Sequence, residues 1–287
     1  MGYLATDPRN ADVLFPYLNG EDLNSRPDGS ASRWVIDFND RSEDEAQMYL
    51  MPYQRVLADV KPDRQRKKSD GSYALRRPLP ERWWQYAEKR PGLRQAISGC
   101  SEVLVIALVS KTVMPVRVPT NQVFSHMLGV FVTDSYSDQA VLSSSLHQLW
   151  AITYGSGMRN DPRYTPSDVF ETFPRPDSNG SLDSIGQALD SVRREIMLRR
   201  ALGLTAIYNL VNDPQIADTD DADVARLRQI HRDLDRTVLG AYKWDDIPLY
   251  HGFYSYRQMI RWTVNPDARA EMLDRLLEEN HRRPRVQ

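Results

Sequence analysis

Seven cations crowd the stretch from 61 to 77: Lys61, Arg64, Arg66, Lys67, Lys68, Arg76 and Arg77. Side chains of this type neutralise phosphates, which positions a protein on a nucleic-acid backbone without reading its sequence. A solvated charged loop accounts for the same residues, and at the level of sequence both readings stay open. A second set carries the forks and rings that read base edges: Lys111, Arg117, Asn121, Gln122, His126, Arg159 and Asn160. Bidentate hydrogen bonds of this kind supply about 1–3 kcal/mol of discrimination when the fork is held on a rigid frame. All seven fall at strand ends or turns of the predicted elements, where surface decoration is the competing account of each residue taken singly.

Covalent chemistry finds less support. Pro27-Asp28 followed by Asp59-Val60-Lys61 imitates a nuclease metal site, in which two carboxylates hold a divalent ion beside a lysine. Asp59, however, falls at the end of a predicted helix and not on a strand. Gly155-Ser156-Gly157 lacks the strand-to-helix elbow of a serine hydrolase, and nothing in the order of residues brings His126 or His147 beside it, so these histidines read as structural or DNA-facing. A methyltransferase needs a glycine-rich cofactor turn and a loop such as N-P-P-Y to grip a flipped adenine. Neither is present; Asn265-Pro266-Asp267-Ala268 reads as the start of a helix, with an N-cap and a proline in its first turn. Trp83 and Trp84 could stack on a base, and packing is the simpler use of such a pair.

The elements that must hold these residues follow from the bulk numbers and the local pattern. The chain has 287 residues, 41% apolar and 26% charged, enough for one large or two modest domains. Its net charge of −2 argues against binding by bulk charge, so distribution matters. Residues 1–54 carry 4 basic and 10 acidic side chains, whereas residues 55–94 carry 12 basic and 5 acidic. Cys100 is the sole cysteine, which excludes an intrachain disulfide framework and fits a reducing cytosol. No apolar run reaches membrane length and the N-terminus has no signal-peptide pattern, so the expected location is cytoplasmic.

Along the chain, Arg33 to Phe38 reads as a half-buried strand, and Ser42 with Glu45 as a capping box opening a helix that runs toward Leu57, kinked or split at Pro52. The composition of 61–78 is that of a mobile loop. Pro80 and Pro91 each suit the first turn of a helix, the first carrying Trp83, Trp84 and Tyr86. Val103 to Val109, Val116 to Val118, Gln122 to Phe124 and Leu128 to Thr133 read as the strands of a sheet, and Val141 to Tyr154 as a helix. Beyond Pro176 the pattern is of amphipathic helices alone: Leu182 to Leu202, Leu204 to Val211, Asp223 to Tyr242 and Asp267 to Arg282.

Arg163-Tyr164-Thr165-Pro166-Ser167-Asp168-Val169-Phe170-Glu171-Thr172-Phe173-Pro174-Arg175-Pro176 suits neither a helix nor a strand. Pro174 and Pro176 fix φ and bias their predecessors to extended geometry, so this segment reads as a stiff strap, with Arg163 or Tyr164 placed to reach DNA from its first turn. The strap resembles the R-Y-T/S-x-S-x-x-F-x-T-F-P string that closes the target recognition domain in the MmeI-like (type IIG) family of fused adenine-specific DNA methyltransferases and restriction enzymes. Other strings resemble the same family: Phe15-Pro16-Tyr17-Leu18-Asn19-Gly20-Glu21-Asp22-Leu23-Asn24, Arg90-Pro91-Gly92-Leu93, Leu104 to Ser110, and Leu142 to Trp150. Leu202 to Asn209 and Ala241-Tyr242-Lys243-Trp244 resemble strings of its C-terminal helical region.

The resemblance implies an α+β fold: a mixed or antiparallel sheet recognition domain with flanking helices over 1–176, then an all-α helical domain over 177–287. It implies binding of double-stranded DNA, with Arg163 joining the base-reading set, in a restriction-modification or related phage-defence system. No cofactor is expected in this chain; S-adenosylmethionine is expected on a methyltransferase catalytic subunit or upstream chain, since nuclease, cofactor pocket and adenine-gripping loop are missing. A functional split subunit and a degraded remnant are both open, and a non-catalytic protein-interaction scaffold is the rival from another class.

Overall fold

A computed structural model describes residues 6–158, 161–256 and 259–283. The fold is α+β, with small antiparallel sheets among helices. It divides into two compact units: residues 1–17, 31–99 and 121–123 form the first, and 18–30, 100–120 and 124–287 the second.

In the first unit, strand β1 (Leu14–Leu18) pairs antiparallel with β2 (Arg33–Ile36), Leu14 lying opposite Ile36 and Tyr17 opposite Arg33. Helix α1 (Gly20–Ser25), between them in sequence, belongs to the second unit. The capping box forms as its residues dictate: Ser42 accepts from the Glu45 amide while the Glu45 carboxylate accepts from the Ser42 amide, opening α2 (Glu43–Gln47). Helix α3 (Leu50–Asp59) follows after a break, with Pro52 in its first turn, where a missing amide costs nothing. Val13, Phe38, Ala46, Tyr53, Val56 and Trp83 make this unit's core.

Two expectations for this region are corrected. No α-helix carries Trp83, Trp84 and Tyr86; residues 79–85 run as successive turns, Trp83 sinking into the core while Trp84 donates its indole hydrogen to the Arg41 carbonyl. The basic stretch is more ordered than a mobile loop. It begins with the short helix α4 (Lys61–Arg64), and the Lys67–Tyr73 bridge closes a tight turn in which Gly71 takes a φ of +81° and the Asp70 carboxylate accepts from the Ser72 amide and hydroxyl. Helix α5 (Pro91–Ile97) starts at its proline as expected.

The second unit is built on β3 (Glu102–Ala107), flanked by β4 (Val116–Pro119) and β6 (Leu128–Phe131), all antiparallel; the two-residue β5 (Val123–Phe124) lies between them in sequence. Five of the six β3 residues are buried, which explains its unbroken apolar run. The helix expected over 141–154 is two helices, α6 (Tyr136–Ser143) and α7 (Ser145–Tyr154). Ser144 breaks them because its hydroxyl donates to the Val141 carbonyl and accepts from the His147 amide, a local alternative to the helical ladder. After the short hairpin β7 (Ser156–Met158) and β8 (Asp161–Arg163) comes the strap, with one turn of helix, α8 (Pro166–Val169).

Helices α9 (Gly180–Arg200), α10 (Leu204–Val211) and α11 (Ala222–Tyr242) follow where the amphipathic pattern puts them. The region after Pro176 is not helical throughout, however: β9 (His251–Tyr256) and β10 (Met259–Val264) form an antiparallel hairpin before α12 (Pro266–Arg282). Its aromatic and β-branched residues, Phe253, Tyr254, Tyr256, Ile260, Trp262 and Val264, favour extended backbone. Asn265 stands at the N-cap of α12, but its side-chain oxygen accepts from the Tyr250 amide and ties the hairpin base together. One core cluster runs from Leu104 and Ile106 of β3 through Tyr164, Val169 and Phe173 of the strap to Leu234, Met272 and Leu276 of the last helices, and a second gathers Ile196, Leu204, Ile207 and Leu227. Among the described residues no helix is long and apolar enough to cross a membrane.

Candidate nucleic-acid interface

The basic run of the first unit separates into three kinds of side chain. Lys61 lies 4.7 Å over the Trp83 ring and Arg64 donates to the Gln85 carbonyl, so these two brace the turns beneath them. Arg76 pairs with Glu88 at 2.8 Å and Arg77 with Glu81 at 2.9 Å, all four exposed. Exposed pairs of this kind are worth little, and a phosphate competes with the carboxylate on nearly equal terms. Arg66, Lys67 and Lys68 are exposed on the tight turn, Lys67 resting 5.7 Å over Tyr73. The turn therefore presents three adjacent cations on an ordered backbone.

The base-reading candidates are placed less uniformly. Asn121 is exposed and Gln122 half-buried, in the first unit. In the second, Lys111, His126 and Arg163 are exposed. Arg163 ends β8 beside an ordered neighbour, since the Tyr164 amide donates to the Leu108 carbonyl at 2.8 Å. Arg159 and Asn160 lie outside the described residues.

Arg117 requires a correction. Its side chain is 4% exposed and turned into the fold, where it donates to the Asp134 carbonyl at 2.9 Å and to Oε1 of Gln139 at 3.2 Å, with its guanidinium 4.2 Å over the Tyr136 ring. Gln139 in turn donates to Asp190 at 2.8 Å. The chain of contacts joins β4, α6 and α9, so Arg117 works as an internal brace and not as a base reader. Strand alternation alone could not reveal this, because the face that Arg117 occupies is covered by helices that lie far away in sequence.

His147 is wholly structural. It is fully buried, its Nδ1 donates to the Leu142 carbonyl at 2.7 Å, and its Nε2 then accepts from the Tyr164 hydroxyl at 3.0 Å. Burial pulls its pKa down to about 4, so it stays neutral. The same contact removes Tyr164 from the surface, leaving Arg163 as the outward-facing residue at the start of the strap. Phe170 packs against Phe131 at 4.8 Å and Phe173 against His147 at 5.1 Å, while Thr172 accepts from the Trp150 indole at 3.0 Å. The strap is thus pinned along its whole length.

The nuclease-like string finds no supporting geometry: Asp59 is the last residue of α3 and forms an i,i+4 pair with Arg55, and among the described residues no group of three or more His, Cys, Asp or Glu side chains is gathered to hold a metal. Two cations escaped the sequence reading, Arg261 and Arg269. They border the same cleft as Lys111; the strand pattern of the hairpin is a signal for Arg261 alone, since Arg269 lies on α12.

The chain is similar over 98% of its length to a solved structure of the Type IIL restriction-modification enzyme MmeI in complex with DNA, with a TM-score of 0.61 at 15% identity. It spans 32% of that longer chain. No match is found among curated proteins. The family model described as "MmeI, target recognition domain" matches residues 2–177, which contain the basic turn, the β3 sheet and the strap. The chain therefore belongs to the MmeI target recognition domain family.

Proposed function

We propose that this chain reads a specific sequence in duplex DNA and presents a target adenine to a methyltransferase catalytic part that lies outside these residues and binds S-adenosylmethionine. Its setting would be a restriction-modification or related phage-defence system in the cytoplasm. The family match over residues 2–177 carries this reading. The ordered basic turn supports it, because a recognition domain must first be held on the phosphate backbone.

In this reading Arg66, Lys67 and Lys68 take backbone phosphates, and Arg76 and Arg77 exchange their surface carboxylates for phosphate. Asn121, Gln122, His126 and Arg163 read base edges in the major groove, with Arg159 and Asn160 completing the set. Residues 1–176 form the reading part. The region 177–287 stiffens it through the core shared by the strap and α12.

Charge reversal of Lys67 and Lys68 together tests the backbone role. Binding to every duplex should weaken alike, and the slope of log affinity against log salt should fall by about 2. Undiminished binding at every salt concentration would remove the basic turn from the interface.

A further inference from the structure

A guanidinium group that has left water must place its N–H donors on acceptors and find a counter-charge. Arg117 and Arg193, with side chains 4% and 2% exposed, meet neither demand in full. Arg117 spends its terminal nitrogens on two neutral oxygens, the Asp134 carbonyl and Oε1 of Gln139, and its Nε is buried with no hydrogen-bond partner among the described residues. Arg193 donates Nη2 to the Pro115 carbonyl at 3.0 Å, while its Nη1 is likewise buried and makes no hydrogen bond. The Tyr208 hydroxyl, whose ionisation Arg193 favours, is engaged with Nε2 of His231 at 2.8 Å.

The two side chains come from different elements, β4 and α9, and line one cavity of about 20 Å³ within the second unit, together with Arg194, Asp190 and the turn at Asp28. A water needs about 10–15 Å³, so there is room for one water or one monatomic anion. The charges around it do not balance. Asp190 stands 3.9 Å from Arg193 and 3.7 Å from Arg194, beyond a direct hydrogen bond, and its Oδ1 already accepts from Gln139 at 2.8 Å. Asp28 is half exposed and turned to Ser30, accepting from its amide at 3.1 Å and its hydroxyl at 2.8 Å. Glu102, 40% exposed, lies 4.0 Å from Arg117. Three guanidinium groups of the lining thus face one buried carboxylate. A water would satisfy the free donors and leave the excess charge; an anion does both.

We propose that this cavity binds a small inorganic anion of the size and charge of chloride, which accepts from Nε of Arg117 and Nη1 of Arg193, with the 46% exposed Arg194 closing it from the solvent side. A cavity with room for one water is too small for the four oxygens of phosphate or sulfate. The bound anion ties β4 to α9 and makes the stability of the second unit depend on the anion in solution. This site is separate from the surface that carries the DNA-reading proposal and does not rest on it.

The test follows thermal unfolding of the full chain as sodium chloride replaces sodium gluconate at constant ionic strength. The wild-type melting temperature should rise saturably, by about 2–4 °C well above the half-saturating concentration. Arg194→Gln, at a partly exposed position, should need about tenfold more chloride for the same rise, the factor that one charge-assisted hydrogen bond supplies. Wild-type crystals grown in sodium bromide should show an anomalous peak between Arg117 and Arg193, a readout that holds even where Arg117→Met or Arg193→Met fails to fold. A melting temperature indifferent to the exchange overturns the proposal. So does a rise of the same size and midpoint in Arg194→Gln, which is a general salt effect, or a water in place of the bromide. A bromide peak without any chloride-dependent gain in stability is an adventitious ion only and overturns it as well.

Discussion

The Tyr164 hydroxyl donates to Nε2 of His147 at 3.0 Å inside the core, so the strap begins with a hydrogen bond that only the neutral imidazole can accept. Tyr164→Phe should leave that nitrogen buried and unpaired and lower unfolding free energy by about 1–3 kcal/mol in urea titrations. Arg163 keeps its surface position in this variant, so the pattern of preferred DNA sequences should not change.

A second prediction concerns pH. Burial pulls both His147 and His231 down to about 4, and nearby Arg175 and Arg193 push in the same direction, respectively. For His231 the charge of Asp235 opposes the shift. An unfolded histidine titrates near 6.5, so the unfolded chain binds more protons between 6.5 and 4. Stability from these groups is therefore complete above pH 6.5 and is lost as pH falls toward 4, by up to about 3 kcal/mol for each histidine. Melting temperatures that stay level from pH 7 down to pH 4.5 in the wild type and in a His147→Gln, His231→Gln variant alike would contradict this account.

Packing of α9 on α6 depends on the absence of a side chain at Gly186. A Cβ there would lie 2.0 Å from the Tyr136 carbonyl oxygen, which is backbone and cannot step aside. Gly186→Ala should therefore destabilise by at least about 1–3 kcal/mol through overpacking, whereas Gly180→Ala, with no atom within 4 Å of the added Cβ, should be tolerated. Chemical denaturation of the two variants side by side decides it.

Much of this architecture could be read in advance where the determining contacts are local. The Ser42–Glu45 box, the proline-led start of α5, the apolar run of β3 and the amphipathic α9, α10 and α11 all depend on residues within a turn or two of one another. The failures share a different cause. Trp83 and Trp84 sit on turns because contacts to Tyr53 and to the Arg41 carbonyl, distant in sequence, outweigh a helix-compatible sequence. The β9–β10 hairpin went unseen because half-buried aromatic strands lack a clean alternation. Of the candidate site, the cluster of cations was legible, while the inward turn of Arg117 was not, since it depends on Gln139 of α6 and on Asp134 in the loop before it.

Arg163 and Arg117 should separate by experiment. Arg163→Ala, at an exposed position, should leave stability within about 0.5 kcal/mol and relax sequence preference at one base position. Arg117→Ala should do the reverse: it empties a buried brace, lowers the melting temperature, and leaves the preference of the remaining folded protein intact. Sequence profiles of both variants, taken under conditions where both are folded, provide the check.

The central claim is that this chain alone reads DNA sequence. Selection of bound duplexes from a randomised pool by the purified chain, at a salt concentration that suppresses non-specific binding, addresses it most directly. The account predicts enrichment of one defined motif that contains an adenine. Recovery of an unbiased pool, or of no DNA at all, would contradict it.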